Sequence, residues 1–137
     1  MNSDVAKTLE SEIEELAVSF ENVVEWQWDG RFKTPLAEFP IDRKGEILEL
    51  LEKHLVSRWD ASSVVEAPEV VREILKTLGG LMSGQLLLLS NLEGPAFLFC
   101  AWWPWGNGQK VSIRIGAFGE ASEKEALTQV LKDRFGV

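Results

Sequence analysis

Toward the end of the chain, the segment AFLFCAWWPWGNGQKVSIRIGAF, Ala96 to Phe118, sets two runs of strand-forming residues on either side of a Gly-Asn-Gly turn. Aromatic and β-branched side chains favour extended backbone, and a connection this short joins only antiparallel neighbours. With the turn centred on Asn107 and Gly108, opposed residues have position numbers of constant sum. Trp102 then faces Ile113, Cys100 faces Ile115, and Leu98 faces Ala117, which makes one side of the hairpin wholly apolar. On the other side Trp103 faces Ser112, Ala101 faces Arg114, Phe99 faces Gly116 and Phe97 faces Phe118. Pro104 has no amide hydrogen and belongs where its nitrogen points away from the partner strand, which favours a four-residue loop, Gly106 to Gln109, in the same register. Trp105 then lies beside Lys110 at the rim.

A third strand-like run, Gln85 to Ser90, precedes the hairpin, so residues 85–118 read as a three-stranded antiparallel meander. Helical spacing surrounds it. Val5, Leu9, Ile13, Leu16, Ala17 and Phe20 recur on one side of residues 4–20, with Glu10, Glu14 and Glu15 on or near the other. Asp42 is placed to cap a second helix, 43–58, carrying Ile47, Leu48, Leu51 and Leu55. Pro68 opens and Gly79 closes a third, 68–78. Ser122 and Glu125 form a capping box for a fourth, 122–135. Between the first two helices, Val24, Trp26 and Trp28 alternate with polar residues up to Asp29-Gly30, which suggests a short strand or hairpin near 23–34. Pro35 and Pro40 mark a loop. The expected fold class is α+β, in one domain spanning residues 1–137, a length that buries a core without staples.

The 14 basic and 22 acidic side chains leave a net charge of −8, which repels phosphate backbones and anionic surfaces, so nucleic acid is an unsuitable partner. The longest apolar runs fall well short of the ~20 residues a spanning helix needs. The one cysteine, Cys100, has no partner for an internal disulfide, and the N-terminus lacks a secretory pattern, so the expected location is the cytoplasm. His54, the single histidine, sits at the edge of an apolar stripe and has no second histidine with which to bind a metal. The Gly79–Gly84 segment GGLMSG follows a helix and precedes a strand, the reverse of a phosphate loop, and Ser83 lacks nucleophile-elbow spacing. No metal, cofactor or catalytic set emerges.

What stands out is the hairpin's second face, where Phe97, Phe99 and Trp103 surround Arg114, with Trp105 and Lys110 at its end. Aromatic stripes are mostly core, and the Trp26–Trp28 segment is an available cover. Uncovered, the same face would be a large apolar patch of the kind that marks an interface, including a homodimer contact. The chain therefore reads as a non-catalytic intracellular protein-binding module. Its acidity suits capture or neutralisation of a basic partner, with Glu10, Glu14 and Glu15 as carriers. The alternative is a small-ligand binder with Arg114 anchoring an anion, and an enzyme of unidentified type comes third.

Overall fold

The computed structural model describes residues 2–90 and 96–137; of these, the side chains of 2–8 and of residue 121 are outside the description. The expected helical contribution of Val5 and the turn joining the first two meander strands lie outside the described residues. The fold is α+β. In chain order the elements are α1 (Asn2–Ser19), β1 (Gln27–Asp29), β2 (Thr34–Pro40), α2 (Lys44–His54), β3 (Ser57–Asp60), α3 (Glu69–Leu78), β4 (Leu86–Leu89), β5 (Phe97–Trp105), β6 (Lys110–Phe118) and α4 (Lys124–Phe135). Short 3-10 turns precede α2, α3 and α4.

Among the described residues the strands form one antiparallel sheet in the order β1-β2-β6-β5-β4-β3. The expected three-stranded meander is its centre, and the sheet is twice that width. In the β5–β6 hairpin the opposed pairs run from Phe97↔Phe118 to Trp105↔Lys110, the register that the turn dictates.

Both additions have local causes. Residues 35–40, read as a loop because of Pro35 and Pro40, belong with Thr34 to β2, which lies between β1 and β6. Proline cannot donate to a ladder, and accordingly the β2–β6 pairing runs only from Leu36↔Arg114 to Pro40↔Lys110, with Pro35 facing Trp28 of β1 instead. The second helix stops at His54 rather than continuing to residue 58. Leu55 takes extended backbone (φ −118°, ψ 97°) and the chain turns into β3 against β4.

Two of the three proposed caps do not form. Asp42 falls in a 3-10 turn ahead of α2, whose N-cap is Arg43 without a side-chain bond. The N-cap of α4 is Glu123, again without a side-chain bond, because another 3-10 turn shifts the helix start past Ser122. Gly79 does close α3, in the left-handed conformation at φ 89°.

The sheet is covered on both faces. Ala37, Phe39, Leu88, Leu98, Cys100, Trp102, Ile113 and Ile115 pack with Leu9, Ile13, Leu16 and Phe20 of α1, with Ile47 and Leu51 of α2, and with Leu127, Leu131 and Phe135 of α4. The opposite face, Leu87, Leu89, Phe97, Phe99 and Ala101, packs with Val71, Ile74, Leu75 and Leu78 of α3, and Phe32, Trp59, Trp103 and Phe118 lie at its margin. Period-two alternation sorts each strand between the two cores, so Trp102 and Trp103 belong to different ones.

Candidate functional site

The α3 side of the sheet holds the aromatic residues singled out in the sequence, in graded exposure. Phe97 and Phe99 are buried, Trp103 and Arg114 are half-buried, and Trp105 is 43% exposed at the hairpin end, its ring under the Lys110 ammonium at 5.1 Å. α3 covers one part of this face and the β1–β2 turn covers another.

The cover is not the expected pair of tryptophans. Trp26 packs edge-on against Phe20 and Phe135, and Trp28 lies beneath the Lys132 ammonium, both on the α4 side. The alternation that sends them there sends Asp29 to the other face. One Asp29 oxygen accepts the amides of Arg31 and Phe32, curling the turn inward, and its other oxygen accepts Arg114 Nε at 2.7 Å. Arg114 also donates to Ser112 Oγ, and its guanidinium lies 4.4 Å from the Trp103 ring centre and 5.4 Å from that of Phe32. Burial pushes the Asp29 carboxyl upward. The Arg114 hydrogen bond, the two turn amides and the Arg114 charge outweigh that and hold it below the ordinary carboxylate value.

This packing leaves two hollows with Arg31, Phe32 and Leu78 as their common wall. One, of about 480 Å³, lies over Trp103, Arg114 and Asp29 and reaches Gly80, Met82 and Gln85. The other, also about 480 Å³, opens at the corner of the sheet where β6 ends. Phe99, Ile74, Leu78 and Leu131 supply its apolar lining, Thr34, Thr77 and Thr128 are interspersed, and Arg31, Lys33 and Lys124 border it. Phe99 is held across Gly116 so closely that a Cβ there would fall 2.2 Å from the ring. Thr34 is 4% exposed, and its hydroxyl has no hydrogen-bond partner among the described residues.

The acidic residues of α1 are not gathered into one free patch. Glu10 and Glu14 both pair with Arg134 of α4, while Glu15 is exposed. Burial, together with the neighbouring Glu15 charge, raises the Glu12 carboxyl. His54 Nε2 is 2.8 Å from Ser19 Oγ, which in turn donates to the Glu15 carbonyl. This hydrogen bond ties the ends of α1 and α2 together. Cys100 is fully buried, and burial pushes its thiol far up, away from the reactive thiolate. Among the described residues no three His, Cys, Asp or Glu side chains converge on a metal position, and no helix is long and apolar enough to cross a membrane.

Arg31, Phe32, Lys33, Thr34 and Lys124 were not singled out by sequence reasoning. The Asp29-Gly30 turn was legible, but the direction in which it folds was not. No family model, curated protein or solved structure matches the chain.

Proposed function

We propose that the protein is a non-catalytic binding domain whose site is the corner cleft between the β1–β2 turn, α3, α4 and the end of β6, and that it takes a small molecule there. The observation that carries this reading is a concave space of about 480 Å³ with an apolar interior and a few polar groups at its edge, whereas the neighbouring hollow of similar volume is walled by the Arg114–Asp29 pair. The anchor differs from the one expected in sequence, because Arg114 is already engaged by Asp29.

The test is protein-observed NMR with a set of small apolar fragments, indole and cyclohexanol among them. Shifts should cluster at Phe32, Ile74, Phe99 and Thr128, and should vanish in Thr77→Trp, which fills the cleft. Shifts scattered over the surface, or unchanged by Thr77→Trp, would overturn the reading.

The second reading is capture of a basic protein, with a homodimer as its variant. It is supported by the net charge of −8 and by Trp105, a large ring exposed at the hairpin tip. Binding of that kind weakens as salt rises and is lost in Trp105→Ala, whereas cleft binding survives that substitution.

A further inference from the structure

We infer that the cleft's ligand is an amphipathic organic anion, its apolar body against Phe99, Ile74 and Leu131 and its anionic head among Arg31, Lys33 and Lys124; this rests on the cleft being the binding site. In a chain with 22 acidic and 14 basic side chains, the cleft is bordered, among the described residues, by three cations and by no aspartate or glutamate. Such a local inversion of sign is what an anion site requires. None of the three cations is in an ion pair among the described residues, whereas Arg43, Arg58, Arg114 and Arg134 all are.

Three independent features meet at the same corner. Lys124 is the first residue of the twelve-residue α4, where the positive end of the helix dipole disfavours a cation and favours an anion. Glu123 and Glu125 flank it in sequence, yet neither lines the cleft. Arg31 and Lys33 come from the β1–β2 turn, and Arg31 is steadied over the Phe32 ring at 5.1 Å. The third feature is Pro35. Because the β2–β6 ladder ends at Leu36↔Arg114, residues 115–118 of β6 have no ladder partner on that side among the described residues, and residues 116–119 line the cleft. The buried, unpartnered Thr34 hydroxyl lies in the same wall. Apolar surface, three cations and unused backbone and hydroxyl groups suit an elongated molecule with one charged end.

The experiment compares decanoate, decyl phosphate and decan-1-ol by isothermal titration calorimetry on the intact protein. Expected is at least tenfold tighter binding of one or both anions than of the alcohol, with the gap shrinking as salt rises. The gap should largely close in the Lys33→Gln, Lys124→Gln double variant, whose melting temperature should stay near that of the parent because both residues are exposed. The tighter of the two anions identifies the head group. Equal affinity for all three probes, abolished by Thr77→Trp, would overturn the anion assignment and leave the cleft reading standing. Binding of none of them would overturn the anion assignment, and fragment shifts insensitive to Thr77→Trp would remove the cleft itself. An anion preference that persists in the double lysine variant would move the head group elsewhere and equally refute the assignment.

Discussion

At Arg114 a guanidinium is held between two rings by a carboxylate from 85 positions earlier in the chain, with side chains only 15% and 12% exposed. Removing one partner leaves the other charge partly desolvated, so Arg114→Met and Asp29→Asn should each lower stability by about 1 to 3 kcal/mol in urea denaturation. The pH dependence has a definite sign. Asp29 is depressed in the folded protein, so its contribution is fully present above the unfolded value of about 3.9 and is lost as pH falls through the folded value. Glu12, raised by burial and by Glu15, works in the opposite sense. The Asp29 share is therefore read as the difference between parent and Asp29→Asn, which should narrow below about pH 4. Gly116 is constrained differently. A methyl there would overlap Phe99, so Gly116→Ala should cost about 1 to 3 kcal/mol through overpacking, and the combination with Phe99→Leu should recover part of the loss.

Among the elements, the start of α4 separates what a sequence pattern suggests from what the backbone does. Ser122 and Glu125 have capping-box spacing, but the 3-10 turn at Ala121–Glu123 moves the helix start beyond the serine. Ser122→Ala should accordingly change the melting free energy by less than about 0.5 kcal/mol, where a true N-cap would cost about 1. The β5–β6 hairpin, by contrast, was legible to the residue, because a short loop and a period of two leave one register that keeps Cys100 and Trp102 on the core side. β2 and β3 were not. Proline is a sound loop signal in isolation, and Pro35 obeys it on the β6 side while residues 36–40 pair. The four residues of β3 follow a helix whose apolar spacing runs smoothly into them, and only the partner strand β4 decides between the two periods. The candidate site shares this limit, since its cations come from a turn and a helix start more than 90 positions apart.

Across the whole molecule, the two faces of the sheet are closed by different parts of the chain, three helices on one side and α3 with the β1–β2 turn on the other. Phe97 and Phe99 are therefore already occupied in cis, and a variant that loosens α3 is the direct way to expose them. Ile74→Ala should destabilise by about 2 to 4 kcal/mol. It should also raise self-association at high concentration, as light scattering would register, because the released aromatic surface has no other cover.

The sheet order also governs when the molecule is able to form. β2 has the short β1 on one side, but its longer ladder is with β6, made seventy residues later, and β4, already beside β3, likewise needs β5 on its other side. On the ribosome the first ninety residues thus contain both flanks of a sheet whose middle has not yet been made. Until Lys110–Phe118 emerges, Ala37 and Phe39 lack their partners across the sheet, and the Asp29 carboxylate has yet to meet its counter-charge. Contacts of such sequence separation make folding slow and hold back closure of the sheet until β6 is available. A nascent chain halted before β6 would leave the β1–β2 pair with no strand to join it to β5, which makes the central hairpin the link between the two halves of the sheet.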